Sequence, residues 1–213
     1  MRERPMLFNG AMVRAILGGR KTQTRRVMKP QPDVCPSACP RPGHRWPSRN
    51  HQSMLHVEDE LQNGQGGCGG LAASACPFGE IGDRLWVRET WGVWDQGFDT
   101  AEESGLTIYR ADTQRPEPKR WRPSIHMPRE ACRLVLEITN VRIERLQAIR
   151  PADALAEGAM EWANEQATPI CDLPAGDERI AFSALWDSTG GSWEANPWVW
   201  VVEFRIAEGP ANG

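Results

Sequence analysis

Nothing in the 213-residue sequence approaches the ~20 consecutive apolar residues that a membrane helix needs. No hydrophobic segment stands behind the basic N-terminus, as it would in a secretory leader. A soluble, cytoplasmic protein is therefore expected, with no membrane partner. Tyrosine is almost absent, at one residue against five Phe and ten Trp. Trp stacks on bases but also fills cores, and most of the ten are read as structural. No internal repeat is visible. The net charge of −3 excludes little. The length fits a single domain over 1–213 with a large insertion, long enough to bury a core without staples.

Charge is informative once it is placed along the chain. Residues 1–30 carry eight Lys/Arg against one acid, Glu3, whereas residues 151–213 carry eleven acids against Arg179 and Arg205. A basic face meeting an anion, with an acidic body behind it, is one reading. Two halves that neutralise each other is the other.

Local patterns suggest a mixed α+β chain. Asn9-Gly10 is a cap for a short helix over AMVRAIL, with Met12, Val13 and Ile16 inward, and Gly18-Gly19 stops it. KTQTRRVM then reads as a strand. Residues 31–80 form an insertion whose Pro-rich and Gly-rich stretches break regular elements. GDRLWVRETW (82–91), LTIYRAD (106–112), CRLVLEITNVRIERL (132–146) and NPWVWVVEFRI (196–206) read as strands, the third bent or turned back at Thr139-Asn140. Pro151 opens a helix with Ala154, Leu155 and Gly158 on one face, and RIAFSALWDS forms another. Several strands with few helices predict a small closed β-barrel flanked by helices.

GRKTQTRR (19–26) carries the chemistry. In an extended chain Lys21, Gln23 and Arg25 share one face, with Thr22, Thr24 and Arg26 on the other. Irregular backbone after the Gly pair could instead join Lys21 to Thr24. A neutral Lys beside a Thr hydroxyl makes an activated nucleophile, and burial or the cations Arg20, Arg25 and Arg26 would lower the amine pKa as this requires. The alternative is a basic strand holding phosphate.

GRKTQTRR, GDRLWV and ALAEG (154–158) together resemble the ASCH family. With RPMLFNGAMVRAILGGRKTQTRRVMKPQP, CPFGEIGDRLWVRETWG, WRPSIHMPR and NPWVWVVEF, the chain is similar to the phage and prophage branch of that family over most of its length. The resemblance implies a PUA-like β-barrel with a cleft for a nucleobase, nucleoside or nucleic acid, RNA or single-stranded DNA. It implies no cofactor. Small bacterial members are amidohydrolases that deacetylate N(4)-acetylcytidine with a Lys, a Thr and a Glu, which fall on Lys21, Thr24 and Glu157. Other members are thought to bind RNA or have been assigned nuclease activity, so a non-catalytic binding module and a nuclease are the rivals. The insertion and WRPSIHMPR have no counterpart in the small hydrolases.

Further candidates stand outside the trio. Arg88, Glu89 and Trp91 could meet a phosphate, a base amine and a base face, or hold the barrel as a buried ion pair. His126 and Arg129 sit in a Pro-flanked loop and could bind substrate. Cys35, Cys39, Cys68 and Cys76 with His44, His51 and His56 lie in or beside the insertion, but their spacing matches no standard zinc site and no metal is expected.

Overall fold

A computed structural model of the chain describes residues 1–37, 41–48, 53–62, 71–94, 105–112, 117–167, 170, 173–174 and 176–208. In chain order its elements are β1 (Glu3–Leu7), α1 (Gly10–Leu17), β2 (Gln23–Val27), β3 (Asp33–Val34), β4 (His44–Ser48), β5 (Ser53–His56) and α2 (Ala72–Ala75). Then follow β6 (Arg84–Arg88), β7 (Trp91–Trp94), β8 (Leu106–Tyr109), β9 (Val135–Arg145), α3 (Pro151–Ala156), α4 (Ala159–Asn164), α5 (Glu178–Ser188) and β10 (Trp198–Glu208). Among the described residues no helix is long and apolar enough to cross a membrane.

The main sheet has the order β1-β6-β9-β10-β2, with β1 parallel to β6 and the other pairs antiparallel. Trp198 to Val202 are all buried, because β10 lies between two strands and under cover on both faces. The expected closed barrel is not formed among the described residues: β1 and β2 end the sheet without a ladder between them. A side chain crosses the gap instead. Arg26 of β2 donates from Nη2 to the carbonyl of Leu7 (2.8 Å) and lies over the ring of Phe8. The α+β class holds; the closure is partial because one guanidinium stands where strand pairing would.

Sequence explains most of the elements. Asn9 caps α1 by accepting from the Met12 amide at 2.9 Å, and Met12, Val13 and Ile16 are buried as the spacing predicts. The long run over 132–146 is one strand rather than a hairpin. Glu203 faces Asn140 but Phe204 faces Ile138, so Thr139 bulges and the strand bends there. The insertion is more regular than its composition suggests: β3, β4 and β5 form a small antiparallel sheet. Trp46, Leu55, Val57, Leu61, Ala75 and Cys76 carry it into the main core. Its Gly-rich stretch lies outside the described residues.

The single helix expected after Pro151 is two. Gly158 adopts a left-handed conformation (φ 72°) and separates α3 from α4, leaving Leu155 exposed rather than inward. A Cβ at Gly158 would stand 3.0 Å from the Ala15 Cβ and 3.4 Å from the Lys21 Cβ. Gly158→Ala is therefore expected to cost at least ~1–2 kcal/mol in urea unfolding. Gly190→Ala meets the same backbone penalty (φ 84°) but open space, and should cost less. Equal losses at the two positions would show that the close approach to α1 carries no energy.

Candidate active site

Three neighbouring stretches converge on one carboxylate. Glu157 follows α3 and is held where the left-handed Gly158 turns the chain. Lys21 precedes β2, with its amide bonded to the Ala15 carbonyl at the end of α1. Lys21 Nζ donates to Glu157 Oε2 (2.9 Å), to the Glu157 carbonyl (2.7 Å) and to the Gln23 carbonyl (2.9 Å). Arg25 Nη1 donates to Glu157 Oε1 at 3.0 Å. The side chains of Lys21 and Arg25 are fully buried and that of Glu157 is 4 % exposed. Burial pushes the Lys21 amine below its usual range; Glu157 opposes that, and Arg26 and Arg25 add to it.

The network continues beyond the sequence candidates. Arg25 Nη2 donates to Glu144 Oε2 at 2.9 Å, and Gln23 Nε2 to the Asp153 carbonyl at 2.7 Å. Arg142 bonds Glu144, Asp153, Glu203 and Gln23. Burial works against the Asp153 anion, yet Arg150, Arg142 and Arg25 hold its carboxyl below the usual range. Lys21, Gln23 and Arg25 thus do share a face, as alternation along an extended chain requires, and it is a buried acidic face. Glu144, Asp153, Arg142 and Glu203 were missed. The visible signal was the run of charges inside an otherwise apolar β9.

Thr24 is buried beside this cluster. It lines a void of about 30 Å³ together with Met12, Arg25, Arg26, Glu157 and the α5 side chains Phe182, Leu185 and Trp186. That volume is of the order of one water molecule, far below a nucleoside. Any substrate reaching Thr24 requires α5 or Arg26 to move.

The remaining candidates separate from the trio. Arg20 turns outward to Glu161 (2.7 Å). Arg26 bonds to the backbone carbonyls of Leu7 and Arg25 and to Met6 Sδ, and is half-buried. Arg88 does not pair with Glu89: it bonds the Ile125 carbonyl and lies 5.3 Å over Trp86. Glu89 is buried against Arg133 (2.9 and 3.0 Å), which also grips Asp112. Burial raises the Glu89 pKa, with Arg133 opposing. Trp91 is buried in a small second core with Met127 and Ala131, and Arg122 stacks on it at 4.8 Å. Arg129 pairs with Glu3 at 2.9 Å. His126 is exposed on the edge of a groove of about 610 Å³ that Lys119, Arg120 and Arg122 also line.

No group of metal-ligand side chains is found among the described residues. Cys35, Cys76, His44 and His56 are described, whereas Cys39, Cys68 and His51 lie outside the described residues. His44 and His56 both face Glu58.

No family model matches the sequence, and no curated protein matches it. A solved structure described as a high-resolution crystal structure of an ASCH domain from Lactobacillus crispatus JV V101 is similar at 10 % identity. It covers 97 % of this chain and 80 % of its own, with a TM-score of 0.36, a likeness too loose to define a common fold.

The cluster makes its own energetic demand. Glu157→Gln leaves two buried cations short of their anion and is expected to cost about 3–5 kcal/mol in urea unfolding. Glu161→Gln removes the outward partner of Arg20 and should cost no more than ~1 kcal/mol. Similar small losses for both would mean that the cluster is not coupled to folding.

Proposed function

We propose that this chain is an ASCH-type protein that acts on a modified nucleobase or nucleoside. The reaction is hydrolysis of the exocyclic amide of an N(4)-acylated cytidine by Thr24, Lys21 and Glu157. The observation that carries the reading is the fully buried Lys21, pushed toward its neutral form and hydrogen-bonded to Glu157, whose side chain lines the same small void as Thr24. A nucleophilic hydroxyl needs a base that is neutral near working pH, and desolvation supplies that shift.

In the proposed step Thr24 Oγ1 adds to the acyl carbonyl and its proton passes to the Lys21 amine. All three ammonium hydrogens of Lys21 have acceptors at rest, so one proton must be lost to solvent before the amine can act, a loss that burial of the amine eases. Collapse expels the cytosine amine with a proton from Lys21, leaving acyl-Thr24. Water then releases the carboxylic acid. Arg25 keeps Glu157 anchored while its other oxygen holds the Lys21 amine.

A nucleic-acid-binding role without catalysis is the second reading. The groove lined by Lys119, Arg120, Arg122 and His126 favours it, since among the described residues no acidic side chain lines that groove to oppose phosphate. Steep loss of RNA or single-stranded DNA affinity with salt, in a protein with no hydrolytic activity, would select it over the first.

Thr24→Ala and Lys21→Ala are each expected to lower deacylation at least ~100-fold, read by mass on acylated cytidine and deoxycytidine. Full activity in Thr24→Ala would remove it as nucleophile. If neutral Lys21 is the base, turnover rises as pH rises through the lowered Lys21 pKa. Arg26→Ala removes a nearby cation, so that pKa rises and the limb moves to higher pH. A limb that stays put, or moves to lower pH, contradicts Lys21 as the base.

A further inference from the structure

A cavity far larger than the void at Thr24 lies elsewhere among the described residues. It has a volume of about 710 Å³ and lies between β2 with the segment after it and the insertion, which supplies β4 and the residues after α2. That volume is within the range of small-molecule sites. We propose that this cavity is a nucleotide site, taking one planar heteroaromatic base with its phosphate. The inference goes beyond hydrolysis at Thr24 and stands without it.

Its walls are aromatic and fixed. Trp46 is buried, donates from its indole nitrogen to the Pro30 carbonyl at 3.0 Å, and packs edge-on against Trp200 at 5.3 Å. Phe78, half-buried, stands in the same cavity. Cys76 completes the apolar wall. Burial pushes its thiol up to about 11, so it remains a neutral thiol rather than a nucleophile or metal ligand near neutrality. A flat, polarisable ring system suits such walls, and aliphatic ligands gain less from them.

Its charge is of one sign. Arg4, Arg26 and Lys29 line the cavity, and no Asp or Glu among the described residues does. Elsewhere in the first thirty residues four cations are matched: Arg14 by Glu165, Arg20 by Glu161, and Lys21 and Arg25 by Glu157. At the cavity the matching is poor. The hydrogen bonds of Arg26 go to two carbonyls and a thioether. Arg4 Nη1 is buried without a hydrogen bond, 3.8 Å from Asp83. Lys29 is exposed at the rim. Aromatic walls beneath poorly compensated cations select a ligand that is planar at one end and anionic at the other. A nucleotide has that shape of charge; a neutral nucleoside or bare phosphate has half of it. Arg26 also lines the Thr24 void, so a phosphate held here would sit at the entrance of the trio.

The test is titration of the full chain with cytidine 5′-monophosphate, cytidine and inorganic phosphate, followed by calorimetry and Trp fluorescence. Saturable binding of the nucleotide, with cytidine and phosphate each at least about tenfold weaker, is expected. Lys29→Glu should weaken the nucleotide about tenfold or more and leave cytidine nearly unchanged, whereas Phe78→Ala should weaken both. Lys29 is exposed, so Lys29→Glu should fold normally, which thermal melting checks. A 5′-phosphorylated trinucleotide distinguishes the source: equal affinity indicates a free nucleotide, and tighter binding indicates a strand end. No saturable nucleotide binding at millimolar concentration overturns the inference even in a protein that deacylates cytidine, as does nucleotide binding indifferent to both Lys29→Glu and Phe78→Ala. Binding without deacylation supports the site and counts against the hydrolytic role of Thr24.

Discussion

The carboxylate of Glu157 is the point on which the rest of the structure turns. It lies in the interior with Lys21 on one oxygen and Arg25 on the other. Charges in such a place are tolerated only when their hydrogen-bonding capacity is met. That requirement fixes the end of α1, the start of β2 and the break between α3 and α4 relative to one another. Gly158 is part of the same constraint, since its left-handed turn lets α4 pass against Ala15 while Glu157 stays aimed inward. Whatever chemistry Thr24 performs, it does so beside charges whose positions the fold has already set.

The same geometry explains the uneven charge along the chain. Glu157, Glu161 and Glu165 are spaced by four residues and meet Lys21 with Arg25, Arg20 and Arg14 respectively. Four of the eight cations in the basic N-terminal stretch are therefore matched inside the molecule by the acidic half. Of the basic face anticipated from composition, Arg26, Lys29 and the loosely paired Arg4 remain around the large cavity. Arg25 in particular is a buried strut with no exposed surface to offer a phosphate.

Local features were legible in the sequence and long-range ones were not. The cap at Asn9, the inward face of α1, the face shared by Lys21, Gln23 and Arg25, and Phe182 with Leu185 and Trp186 on α5 all follow from spacing. Joining Lys21 and Glu157 required the family resemblance, because 136 residues separate them. Glu144, Asp153 and Arg142 join β2 across similar separations, and no local period announces such pairs. Glu89 was paired with its neighbour Arg88 because adjacency in sequence is visible; the actual partner, Arg133, comes from a distant segment that folds against it. Composition misled within the insertion. Pro and Gly mark its breaks, yet a few apolar residues such as Trp46 and Leu55 were enough to anchor a small sheet in the core. Barrel closure could not be read at all, since it depends on whether two strand edges meet by a ladder or by a side chain.

That seam has a consequence for how the protein survives at high concentration. Among the described residues no strand lies along the outer edge of β1 or of β2, and side chains occupy some of the carbonyls there. Unprotected edges recruit strands from other molecules and seed aggregates. The guanidinium of Arg26 lies across the gap, bulky and cationic, and occupies the Leu7 carbonyl that an incoming strand would need. A charged side chain turned along an edge is a gatekeeper, and the one at this seam protects two edges at once.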